Sequence, residues 1–160
     1  MPRGVYTVVF GPATAITTAN GDYDLFTLTA ADDEPIEIVA LKLANKSEIA
    51  EAQEEMLEYG IFRGAATAGT GGSAPTPQPT DSKDEASSFT ARVADTAIAT
   101  GGTEVALMRD TFNVRAGLPE IFPPEMRFKT DQGAGLLIVR LVTAVADDMT
   151  MSGTLWVRQL

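Results

Sequence analysis

Apolar and polar residues alternate along the last stretch of the chain. Met149, Met151, Leu155 and Val157 fall on one side, and Thr150, Ser152, Thr154 and Arg158 on the other. A period of two marks a β-strand with one buried face. Gly153 falls on the apolar side, where a missing side chain signals a bulge or a close backbone approach. The run 136–142 is instead almost wholly apolar, broken only by Arg140. Such a run suits a central strand covered on both faces. Asp147-Asp148 reads as the loop between these two strands.

Upstream, Val5 to Phe10 is strand-like. Residues 24–30 and 35–43 read as strands divided by Ala31-Asp32-Asp33-Glu34, and Asn20-Gly21-Asp22 is a turn signal. A strand at 88–95 and another at 104–109 flank the Gly101-Gly102 turn, a candidate hairpin. Residues 47–53 carry helix formers with early acids, predicting one short helical turn, and a strand follows from about 55 to 63.

Two segments break the pattern. Gly64 to Ser87 is rich in Gly, Ala, Thr and Ser, with Pro75, Pro77 and Pro79 in an extended, polyproline-like run. Its composition predicts a flexible or partner-docked internal loop at 64–87, since it offers little apolar surface to offset ordering. Prolines bar residues 118–125 from a central strand, yet Ile121 and Phe122 call for burial. The sum is about eight short strands with long loops and at most one short helix. That predicts a single all-β domain over 1–160, an antiparallel β-sandwich of jelly-roll type.

Composition narrows the function. The chain has 160 residues, 44% of them hydrophobic, enough to bury a sizeable core. A net charge of −10, from 22 acids and 12 bases, argues against nucleic acid and anionic membranes as partners. Cys and His are both absent from the sequence. This excludes a disulfide scaffold and a Cys-ligated zinc site, and removes the commonest general base. Met1-Pro2-Arg3-Gly4 runs straight into a strand without a signal-peptide core, so synthesis in a cytoplasm is expected. The apolar runs are too short to span a bilayer as helices.

No constellation points to chemistry. Gly69-Thr70-Gly71-Gly72-Ser73 lacks the lysine of a phosphate loop and reads as a flexible loop. Asp22 and Asp24 lack the ligand order of a calcium loop. Asp32-Asp33-Glu34 and Asp147-Asp148 could share a cation at one end of the sandwich, but turn carboxylates are the simpler reading. The four lysines stand outside any Ser-x-x-Lys motif. Paired carboxylates for sugar hydrolysis can be drawn from too many acids to be informative. Trp156, Tyr6, Tyr23 and Tyr59 are candidates for a sugar platform or for ordinary packing. Trp156 falls on the polar side of its strand, which makes it exposed or buried against a neighbouring subunit. The expectation is a non-enzyme with no catalytic, cofactor or metal residues.

Several stretches carry a resemblance: the opening Gly-x-Tyr-x-Val-x-Phe strand at Gly4 to Phe10, the loop from Gly72 to Pro77, Gly101-Gly102-Thr103, Phe112 to Leu118, Pro123-Pro124-Glu125 and Met149 to Val157. The chain resembles small virion proteins of tailed bacteriophages. The resemblance implies a structural protein on the capsid exterior, a decoration (cement) protein, often trimeric, that bridges copies of the major capsid protein. Another virion part remains open: a head fibre, a tail accessory, or a receptor- or carbohydrate-binding module. Extended segments suit gripping a lattice by strand addition and avidity. The expected partner contacts are Pro2, Arg3, Pro75, Pro77, Pro79, Ile121, Phe122 and Trp156.

Overall fold

The computed structural model describes residues 4–46 and 55–160. Pro2, Arg3 and the helical turn expected at 47–53 lie outside them. Among the described residues the chain forms β1 (Gly4–Ile16), β2 (Tyr23–Thr29), β3 (Ile36–Asn45), β4 (Met56–Ala65), β5 (Gln78–Pro79), β6 (Thr90–Asp95), β7 (Val105–Asn113), β8 (Leu118–Ile121), β9 (Lys129–Thr130), β10 (Leu136–Leu141) and β11 (Met149–Gln159). Two three-residue 3-10 turns, Pro124–Met126 and Gln132–Ala134, are the helical elements of the described residues.

The strands form two antiparallel sheets. The first runs β5-β1-β11-β3-β8, with β9 also on β3, and the second runs β6-β2-β10-β4-β7. The first and last long strands, β1 and β11, are neighbours. Leaving aside β5, β6 and β9, successive strands alternate between sheets except for the β4–β7 step. This is jelly-roll order, and the all-β sandwich read from the sequence is the observed fold.

The alternation on β11 explains its place. Met149, Met151, Leu155 and Val157 are buried between the sheets, while Trp156 and Arg158 point outward. Gly153 is a close approach: a Cβ there would stand 2.6 Å from the Phe10 ring and 2.9 Å from Leu43. Strand β10 is buried along its whole length and sits centrally in the second sheet. Leu137, Val139 and Leu141 face the main core. Leu136 and Ile138 face away, packing with Phe62, Ala65 and Ala99 in a second, smaller cluster.

That second cluster is roofed by the segment expected to be flexible or docked on a partner. Thr67, Thr70 and Ser73 pair with Thr100, Ala97 and Val93. Gln78 and Pro79 then pair with Thr7 and Tyr6 of β1, and the Thr80 amide donates to the Val5 carbonyl at 2.8 Å. The segment is thus a strap on its own chain, crossing from one sheet to the other and closing one side of the sandwich. Pro77 is buried and Pro75 and Pro79 are half-buried within it. Composition misjudged it because its attachment is backbone pairing. Gly72 makes this possible, since a Cβ there would overlap the Val93 carbonyl oxygen.

Two further expectations are corrected. Strands β6 and β7 are not a hairpin but lie at opposite edges of the second sheet. The Gly101-Gly102 turn, both glycines at positive φ, belongs to the loop that crosses over its outer face. Phe122 is not a spare partner contact. It is 4% exposed, packs edge-to-face on Phe128 at 5.3 Å, and its amide donates to Val39 at 2.9 Å.

Candidate interaction surface

The outer face of the second sheet is occupied by the chain's own loops, but the outer face of the first carries no such cover among the described residues. Strand register lays three rows across that open face. Thr7, Trp156, Ala40 and Ile121 form one row. Val9, Thr154, Lys42 and Pro119 form the row on one side of it. Val5, Arg158, Glu37 and Lys129 form the row on the other.

The central row makes a trough. Ala40 is small and stands between two large apolar side chains, Trp156 and Ile121. A register irregularity between Trp156 and Val157 inserts Val39 beside Ala40 and widens the floor. The depression holds about 270 Å³ and is lined mainly by Val39, Ala40, Pro119, Ile121 and Trp156, with Glu120 and the Lys42 stem at its border. Ile121 is 81% exposed, although it is a large aliphatic residue on an edge strand. A second depression of about 330 Å³ continues past Lys42 toward Val9 and Thr154. The structure therefore brings Ile121 and Trp156 together, while Phe122 and the three strap prolines are used within the fold.

The row beside the trough is charged. Glu37 is buried and receives Arg127 at 2.8 Å, Lys129 at 3.3 Å and Arg158 at 3.7 Å. Arg63 donates to the Lys129 carbonyl at 2.9 Å. Three cations on one carboxylate leave this knot positive in a chain of net charge −10. A glutamate between Ile36 and Ile38 was the available sequence signal, because a buried carboxylate needs cations. Which cations answer it depends on the register of three strands.

A separate polar cluster lies beneath the strap. Arg140 bonds Asp24 at 2.5 Å and Glu104 at 2.6 and 2.9 Å, and its guanidinium sits 4.9 Å above the Phe62 ring. Asp24 also accepts from the Ala99 amide at 2.6 Å. Asp95, its cross-strand neighbour, accepts from Arg92 at 2.7 Å and the Gly72 amide at 2.9 Å. Burial opposes the charge on Arg140, but the hydrogen bonds it donates to Asp24 and Glu104 outweigh it and raise its pKa. Burial is also the main cause that raises the Asp22 carboxyl. Both Asp24 oxygens are engaged, so the cluster clips the two Gly-rich loops to the sheet.

Asp148 and Glu34 stand in connections between strands. Asp148 accepts from the Thr18 amide at 2.7 Å, and Glu34 contacts Ser88 and Gln159. Since Ser88 and Gln159 stand at the far end of β11 from Asp148, the two acidic turns lie at opposite ends of the sandwich. Among the described residues no group of three or more acids is placed to hold a metal ion, and no helix is long and apolar enough to cross a membrane. No protein-family model, curated protein or solved structure matches the chain.

Proposed function

We propose that this protein is a structural part of a tailed-phage virion, a decoration protein that binds the outer capsid surface and bridges capsomers, assembled as a trimer. The observation that carries the reading is the uncovered trough of Trp156, Ala40 and Ile121. A chain that roofs one sheet with its own loops leaves the other sheet's apolar row in solvent, and such a row marks a contact surface. Trp and an exposed aliphatic side chain are suited to anchoring an interface. On a lattice of repeated sites, modest contacts of this kind multiply into firm attachment. The strap and the buried ion cluster then act as stiffeners that hold the face in shape.

Quantitative mass spectrometry of purified particles tests the reading. A copy number in fixed simple proportion to the major capsid protein supports it. A few copies per particle point to a tail or fibre component, and absence from particles removes the virion reading. The exposed part of Trp156 keeps a receptor- or carbohydrate-binding module as the second reading. Its mark is a change in Trp156 fluorescence on adding a glycan.

A further inference from the structure

The trough and the charged row are adjacent and belong to one surface. Arg158 follows Trp156 by two positions on the same face of β11, a separation of roughly 7 Å. An extended chain repeats its own same-side residues at that spacing. The side chains of Arg158 and Lys129 are about half exposed, at 52% and 55%, so each has donors left beyond Glu37.

We propose that the outer face of the first sheet docks an acidic protein segment in which an aliphatic or aromatic residue fills the trough between Trp156 and Ile121 and a carboxylate two positions away meets Arg158 and Lys129. This names the partner chemistry of the surface in the preceding section and rests on that reading. Charge complementarity selects the occupant. The basic knot stands out in a strongly acidic chain and would draw a carboxylate-bearing segment onto this face. A second copy docked face to face about a two-fold axis would set the basic row against itself or against the row of Val9, Thr154, Lys42 and Pro119, which carries no acid. A nucleic acid would meet the repulsion of the remaining acidic surface.

Trp156 is the single tryptophan of the chain, so it reports on its own trough. The probe is a synthetic peptide repeating Leu-Thr-Glu-Thr, with Lys or Gln replacing Glu in two controls. The full chain is titrated at about 50 mM and about 500 mM salt. The acidic peptide is expected to shift Trp156 emission saturably. The Gln peptide should bind about tenfold more weakly, the Lys peptide should give no response, and the advantage of Glu over Gln should shrink at high salt. The double variant R158Q/K129Q should erase the Glu-over-Gln preference while keeping Gln-peptide binding, and I121S should weaken both, with circular dichroism confirming the fold. No response to the acidic peptide, or equal responses to the Glu and Lys peptides, overturns the proposal. So does a concentration-dependent dimer that I121S abolishes and that excludes the peptide. A negative peptide result with capsid-level copy number removes the acidic partner alone. A positive one with the protein missing from particles removes the virion reading alone.

Discussion

Replacing Arg140 with methionine tests whether the buried ion cluster governs the stability of the sandwich. The Arg140 side chain is 6% exposed and Asp24 is fully buried, with 2.5 Å between their bonded atoms. Methionine fills similar space but leaves Asp24 only the Ala99 amide as a neutralising partner. It also frees Glu104 and removes one of the two cations over the Phe62 ring, leaving Arg109. Breaking a buried pair on one side costs about 3–5 kcal/mol, a large share of the roughly 5–15 kcal/mol that holds a domain together. For a chain of this length the melting temperature should fall by roughly 6–20 °C. The companion variant D24N/R140M keeps an acceptor for Ala99 without the stranded charge, and should recover about 2 kcal/mol or more of the loss. Urea unfolding followed by circular dichroism supplies both values by linear extrapolation. A cost under about 1 kcal/mol for R140M, or a double variant no more stable than the single, would refute the reasoning.

Other substitutions separate the parts of the fold. The Tyr59 hydroxyl is buried with no hydrogen-bond partner among the described residues, so Y59F should stabilise by about 1 kcal/mol in chemical denaturation. Burial, then Glu120 and Asp110, raises the Tyr59 pKa above the ordinary 10.0. The unfolded chain therefore loses that proton first, so stability is kept below pH 10 and falls as pH rises past it. Y59F should flatten this alkaline decline in a pH series, and an unchanged slope would count against the assignment. Sequence neighbours Ile121 and Phe122 should behave oppositely: I121S should stay within about 0.5 kcal/mol of the parent, and F122A should lose about 3–5 kcal/mol. G72A should force the strap off Val93, costing about 1–3 kcal/mol and speeding hydrogen exchange at the Val93 and Ser73 amides. Ala94 has a φ of 53°, so A94G should raise stability by about 0.5 kcal/mol, readable as a small rise in melting temperature.

Hydropathy alone was enough to locate the strands that make the core. The alternation on β11, the unbroken β10 and the expected strand near 55–63, observed as Met56–Ala65, follow from which side chains avoid water. Prolines correctly placed β8 at an edge. Hydropathy was silent where attachment is by backbone. The Gly-Thr-Ser-Pro strap pairs through amides and carbonyls, and its small residues matter because they permit close approach. Gly101-Gly102 marked a turn but could not say whether the chain returned beside β6 or crossed the sheet. Ile121 and Phe122 look alike in sequence, and only the seating of Phe122 on Phe128 tells them apart. Arg140 was visible as a charge in an apolar run. Its partners, Asp24 and Glu104, lie 116 and 36 residues away and meet it only through the sheet and its loops. The basic row beside Trp156 had one local signature, Glu37 between Ile36 and Ile38, while the cations that gather on it are set by strand register.

The most direct measurement is a cryo-electron microscopy reconstruction of the assembled particle at side-chain resolution. The account predicts regularly spaced copies on the shell exterior, with Trp156 and Ile121 pressed into the capsid protein and Arg158 and Lys129 beside its acidic residues. Copies confined to the tail, or a shell-bound copy whose Trp156 face looks into solvent, would contradict it.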